Sequence, residues 1–209
     1  MVAKIISKNI FDCSTCSCRC DGISKGNYDF EKDVNFSEEI ENKIISLINS
    51  QYSDLFAFKT KRNGYPDIEI ISKQSITRPI AFIEVKVQSR TFMSIEKYLP
   101  SSNLKPSETI ALNLSDLERY FEISKNEKTP FYILWCLKNR KCINEENQNI
   151  FYHQEISVLE NIRKNDINNF RKFKRASGKG DIVDGVHKGV LVNYHFSLNE
   201  LLEGIPNLK

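Results

Sequence analysis

The run Phe131-Tyr-Ile-Leu-Trp-Cys-Leu137 constrains this chain more than any other segment. Successive residues of a strand point to opposite faces, and here both faces are apolar. Such a strand is stable only when both sides are covered, which predicts a central position in a sheet flanked by helices. Pro130, just before the run, suits a strand's start because no ladder hydrogen bond is lost there.

A second run has a different pattern. In Ile80-Ala-Phe-Ile-Glu-Val-Lys-Val-Gln88 the alternation sends Ile83, Val85 and Val87 to one face and Glu84, Lys86 and Gln88 to the other. The apolar face is fitted for packing and the polar face for chemistry. Two shorter runs precede it, Asp54-Leu-Phe-Ala-Phe-Lys59 and Asp67-Ile-Glu-Ile-Ile71, with turn signals at Asn63-Gly64 and Arg78-Pro79. Together they predict an antiparallel three-stranded meander.

Helices bracket it. Ile40, Ile44, Leu47 and Ile48 recur at helical spacing, and Asn35 with Glu38 three residues on is an N-cap pattern, so a helix is expected over 36–50. A polar loop covers 100–106, and Leu114, Leu117, Phe121 and Ile123 then predict a helix near 113–126. The order of helix, three strands, helix and strand implies an α/β chain with a mixed sheet. Beyond 150 we expect a helix near 155–165, a basic segment, a Gly-rich turn and an alternating run over 189–196.

The chain has 209 residues, enough for one domain with a sizeable core, with 1–34 as a Cys-rich N-terminal elaboration, loop-rich over 1–30, and a basic extension from about 150. Apolar residues make up 40% and charged ones 27%, as in ordinary folded proteins. No apolar run reaches the length that spans a bilayer, and the first residues lack a signal-peptide core, so no membrane and a cytoplasmic location are expected. The net charge of +3 permits a nucleic-acid partner without requiring one.

The candidate chemistry lies on the polar face of 80–88. Two residues of strand rise separate Glu84 and Lys86 by roughly 6.6 Å, near enough for a carboxylate to hold a hard cation while an ammonium meets a water on it. Asp67 opens the preceding strand, and a hairpin would bring it beside Glu84. Two carboxylates and water suit Mg2+, or Mn2+ in its place, and the ion would polarise a phosphate and acidify the attacking water. Lys86 could orient or deprotonate that water, or meet charge on the phosphate. The same residues could instead be a turn aspartate and a cross-strand ion pair.

Pro66-Asp67, sixteen intervening residues and Glu84-Val85-Lys86 resemble the motif of the PD-(D/E)XK nuclease superfamily, which includes restriction endonucleases and archaeal Holliday-junction resolvases. The resemblance spans about 36–137. It implies a restriction-endonuclease-like αβββαβ core and metal-dependent hydrolysis of phosphodiesters, with restriction, DNA-junction or phage-defence contexts all compatible. It further implies a first-helix glutamate facing the metal. Glu41, followed by Ile44, Ile45 and Ile48, fits that better than Glu38, with Glu39 further round. Gln88 extends the motif to Glu-x-Lys-x-Gln, a form similar to that of several members, which would set an amide near the phosphate. The catalytic set is then Glu41, Asp67, Glu84, Lys86 and Gln88. DNA is the expected partner, with RNA and a homodimer compatible.

Arg171, Lys172, Lys174, Arg175 and Lys179 concentrate positive charge around Phe173 and form the candidate phosphate-backbone contact, or else a solvated face. Ser177-Gly-Lys-Gly180 lacks the glycine spacing and following hydroxyl of a nucleotide-binding loop. The histidines His153, His187 and His195 have no metal-ligand spacing and are expected to be structural or surface residues. Cys13, Cys16, Cys18 and Cys20 are dense enough to hold Zn2+ or an iron–sulfur cluster, with Cys136 or Cys142 as further ligands, or to remain reduced thiols. A non-catalytic nucleic-acid-binding protein and a Cys-cluster metal or redox regulator are the alternatives to a nuclease.

Overall fold

A computed structural model describes residues 3–16, 30–88, 91–138, 140, 142–143, 148–174, 182–183, 186–187 and 192–208. The elements are β1 (Lys4–Ser7), β2 (Ile10–Asp12), α1 (Phe30–Gln51), β3 (Leu55–Lys59), β4 (Ile68–Ser72), β5 (Ser75–Gln88), α2 (Ile95–Tyr98), β6 (Thr109–Asn113), α3 (Leu114–Glu127), β7 (Phe131–Leu137), β8 (Ile150–Glu155), α4 (Ile156–Asn165), β9 (Lys172–Lys174), β10 (Ile182–Val183), β11 (Val186–His187), β12 (Val192–Ser197) and β13 (Leu202–Glu203).

The main sheet has six strands in the order β13-β8-β7-β5-β4-β3. β3, β4 and β5 form the antiparallel meander, and β7 pairs parallel with β5 and antiparallel with β8. The sheet is therefore mixed and flanked by helices. The twice-apolar strand is central, as its sequence demands. Ile133, Trp135 and Leu137 enter a core shared with α3 and α4, while Leu134 and Cys136 enter a second core built on Ile40, Ile44 and Ile48 of α1. Burying each such aliphatic side chain is worth about 1.5–3 kcal/mol, so this double coverage fixes the strand's place.

Three expectations are corrected. Helix α1 starts at Phe30, so Asn35 lies inside it. No glycine or proline interrupts 30–34, and an internal asparagine costs only some tenths of a kcal/mol. Arg78-Pro79 is no turn, because β5 begins at Ser75 and the hairpin bends at Lys73–Gln74. The ladder slips around Ile71, where Pro79 sits opposite, so a residue lacking an N–H is accommodated at an irregular step. Part of the loop-rich start is a hairpin of β1 and β2, with Asn9 at φ 58 in its turn. The Asn63-Gly64 turn stands, with Gly64 at φ 76, a backbone few other residues adopt.

A second sheet has the order β6-β12-β9. One tie to the main sheet is Gln88, whose Oε1 accepts the Ala111 N–H (3.3 Å) and whose Nε2 donates to the Thr109 carbonyl (3.2 Å). Among the described residues no helix is long and apolar enough to cross a membrane.

Candidate active site

The β4–β5 ladder pairs Ile68 with Ile83. Continued by one residue, the register sets Asp67 opposite Glu84. The regular β4 ladder ends there, so the Val85 N–H needs another acceptor, and Asp67 Oδ2 takes it at 2.8 Å. The Asp67 carbonyl accepts the Thr60 N–H at 2.9 Å, fixing the turn from the other side. The sequence Pro66-Asp67 thus closes the mouth of the β3–β4 connection against the polar face of β5.

Phe82, Glu84, Lys86 and Gln88 point toward α3, whereas Ile83 and Val85 pack on α1. Glu84 is buried. Its Oε1 accepts Lys86 Nζ at 2.5 Å and the Tyr120 hydroxyl of α3 at 2.5 Å. Arg119 Nη2 donates to that hydroxyl at 3.3 Å and is itself held by Asp116 at 2.9 Å. Sequence reasoning missed Tyr120. Its position among Leu117, Phe121 and Ile123 reads as helix core, and only the approach of α3 to β5 turns its hydroxyl on Glu84.

The electrostatics are those of a crowded acidic site. Burial first, then the Glu84 charge, push the Asp67 carboxyl up to about 7, against the opposing Val85 N–H and Lys86; Glu41 adds a smaller push. Burial disfavours the Lys86 ammonium, but Glu84, with smaller help from Tyr120 and Asp67, outweighs it and raises the pKa. Burial and the adjacent Glu84 raise the Tyr120 hydroxyl, against Lys86, so it remains a donor.

The other expected members have distinct placements. Glu41 meets Lys59 at 3.1 Å and is near enough to Asp67 to affect it; Glu38 lies 3.9 Å from Lys59 and is much more exposed. Gln88 uses its amide on β6, as described above. Glu69, on the Asp67 face, is tied to Arg62 at 3.3 Å, and Arg62 to Glu127 at 2.8 Å.

In the basic segment, Lys172 and Lys174 are exposed on β9 while Phe173 between them stacks on Tyr98. Arg171 is half-buried and bonded to Glu200 at 2.7 Å, which draws its guanidinium away from solvent. Arg175 and Lys179 lie outside the described residues. His153 Nδ1 meets the Gly204 carbonyl at 2.9 Å, and His195 is buried in the small sheet.

Cys13 and Cys16 bracket a 3-10 turn capped by Asp12, whose carboxylate accepts the Ser14 N–H at 3.0 Å. Cys18 and Cys20 lie outside the described residues. Cys136 is buried in the α1-side core, where burial pushes its thiol up to about 12, an unsuitable state for a metal ligand.

Among the described residues no group of three or more His, Cys, Asp or Glu side chains is close enough to hold a metal ion. The acidic site therefore offers two carboxylates, Asp67 and Glu84. That fits Mg2+, which keeps several waters and commonly takes one or two carboxylates plus substrate phosphate. The raised Asp67 carboxyl is the structural sign of the fit, because a cation beside it would offset both the burial and the Glu84 repulsion.

The architecture is a mixed α/β sheet flanked by helices, with the αβββαβ order present and α2 and β6 inserted before its second long helix. No family model matches the chain, and no curated protein is similar to it. Among solved structures it is similar to the Holliday junction resolvase Hjc of Archaeoglobus fulgidus, at 10% identity and a TM-score of 0.41, over 80% of this chain and 91% of that one. A likeness of that degree adds no weight to the site, which stands on its own geometry.

Proposed function

We propose that the chain is a metal-dependent nuclease of the PD-(D/E)XK type that hydrolyses phosphodiester bonds in DNA. The observation that carries this reading is the convergence of Asp67, Glu84 and Lys86 at the end of the regular β4 ladder, with Lys86 Nζ 2.5 Å from Glu84. An ion pair on a solvated strand face would leave its glutamate wet, but Glu84 is buried with a tyrosine hydroxyl on the same oxygen.

In this mechanism Asp67 and Glu84 hold Mg2+ or Mn2+, which when bound would polarise the phosphate and acidify a water. Asp67 uses Oδ2 on Val85, leaving Oδ1 for the cation; Glu84 uses Oε1 on Lys86 and Tyr120, leaving Oε2. Lys86, as an ammonium, donates to the attacking water or to the phosphate oxygens and meets charge that develops there. Glu41 stands behind Lys59 and completes the acidic wall through water. Lys172 and Lys174 contact the backbone away from the cut.

The test is cleavage of plasmid and branched DNA with Mg2+, comparing wild type with Asp67→Asn and Lys86→Ala. Each change is expected to lower the rate by about 10²–10³-fold or more, as removal of a charge-stabilising group does elsewhere. Full cleavage by both variants would sink the site assignment. Salt-sensitive DNA binding without cleavage by any form would favour a binding module of the same fold.

A further inference from the structure

The turn between α4 and β9 displays apolar side chains where a soluble surface normally hides them. Ile167 is 84% exposed, the highest value among the large exposed hydrophobics, and Phe170 is 45% exposed. One exposed isoleucine would mean little. These two are held out by a tightly bonded backbone: Asp166 N–H donates to the Ile162 carbonyl (3.2 Å), Asn169 N–H to the Asp166 carbonyl (2.9 Å) and Lys172 N–H to the Asn169 carbonyl (3.1 Å). The Asp166 carboxylate accepts the N–H groups of Phe170 (2.9 Å) and Arg171 (3.2 Å).

Charge and position say what the turn meets. Lys172 and Lys174 follow it directly, both exposed, and among the described residues neither has an acidic partner. Positive charge beside apolar tips matches a polyanion with a stacked interior. The turn is also coupled to the catalytic strand: Gln88 accepts the Ala111 N–H, Ala111 pairs with His195, and the His195 N–H donates to the Arg171 carbonyl at 3.0 Å.

We infer that Ile167 and Phe170 form a wedge that enters the DNA base stack where it is interrupted, at a nick or a branch, while Lys172 and Lys174 hold the flanking phosphates. The inference rests on the DNA-cleaving reading above. Apolar side chains inserted between base steps must unstack them, and that cost is smallest where stacking is already broken. The wedge therefore selects interrupted over intact duplex.

The experiment uses the full chain in EDTA with oligonucleotides carrying 2-aminopurine at a nick, at a four-way branch and within intact duplex. Wild type is expected to bind the interrupted DNAs at least about tenfold more tightly and to brighten the probe on binding. Ile167→Ser should lose most of that preference and signal while binding intact duplex within about twofold of wild type. Lys172→Ala with Lys174→Ala should weaken all three complexes alike and reduce the salt slope by about 2. Equal wild-type affinity for the three DNAs, an unbrightened probe, or an unchanged preference in Ile167→Ser overturns the wedge. So does a dimer that Ile167→Ser dissociates with no change in DNA discrimination. Cleavage with Mg2+ is read separately: discrimination without cleavage supports the wedge and overturns the nuclease reading alone.

Discussion

The two sheets of this molecule share one apolar core but differ in the polar bonds that orient them. The six-stranded sheet buries apolar rows on both faces, with Trp135 fully enclosed between β5 and β8. The three-stranded sheet lends Ile110, Leu112, Tyr194 and Phe196 to that same core and adds directed polar bonds: Arg140 donates to the Ser107 and Thr109 carbonyls at 2.9 and 2.5 Å, Glu108 takes the Ser197 hydroxyl and the Asn199 amide, and Arg171 binds Glu200. Apolar burial is tolerant of direction and gives a rigid floor for Asp67, Glu84 and Lys86. Polar bonds depend on geometry, so they set the small sheet's orientation and with it the reach of β9.

Trp135→Ala should have the largest effect, because the indole belongs to the large sheet and also packs on Phe196 of the small one. Removing a buried indole costs about 3–5 kcal/mol, and because Trp135 is the register partner of Lys86 on β7, chemical unfolding should move to lower denaturant and cleavage should fall with it. A loss below 1 kcal/mol would mean that the large sheet does not depend on apolar burial.

Arg140→Ala removes the guanidinium donor from the Ser107 carbonyl and leaves the Thr109 carbonyl with Gln88, and should cost about 1–3 kcal/mol. Hydrogen exchange should accelerate in β6 and β12 more than in β5 and β7. Uniform acceleration in both sheets would erase the distinction between them.

Tyr120→Phe removes one donor from Glu84 and preserves the ring against Phe131. A supporting bond of this kind is worth about 10–100-fold in metal affinity or activity. Calorimetric titration with Mn2+ should weaken by that factor, with the unfolding midpoint lowered by less than in Trp135→Ala. An unchanged metal affinity removes Tyr120 from the site.

The smallest effect is the pH response of the small sheet. His195 donates both its backbone N–H and Nδ1–H to the Arg171 carbonyl at 3.0 Å, and its ring meets the Phe92 edge at 5.1 Å. Burial lowers its pKa, against that carbonyl. The unfolded chain therefore binds the proton first, so the histidine's contribution is whole above pH 6.5 and is lost as pH falls through the lower folded pKa. Melting temperature should drop from pH 7.5 to 5.5 in wild type, and by less in His195→Gln.

Much of the large sheet was legible in the sequence because its signals are local. The alternation over 82–88 fixed which residues share a face, the double apolar run fixed β7 as central, and Ile40, Ile44 and Ile48 marked the packed stripe of α1. The register was not legible: a plain hairpin pairing Ser72 with Ser75 would set Asp67 opposite Ile80, and the slips around Ile71 bring it opposite Glu84. The strands β6 and β8 were not read as such. Thr109–Asn113 and Ile150–Glu155 are short and partly polar; the first becomes a strand by pairing with β12, far along the chain, and the second by pairing with the fully buried β7.

By itself, then, the sequence determined strand phase, the helix stripe and the shared face of Glu84 and Lys86, since periodicity depends on neighbours along the chain. Tertiary structure alone decided that Tyr120 would reach Glu84, that Gln88 would spend its amide on β6, that Arg171 would turn to Glu200, and that Ile167 would stand in solvent. Each of these depends on how elements distant in sequence approach, where one bond's direction or one face's coverage is set by packing that no local pattern encodes.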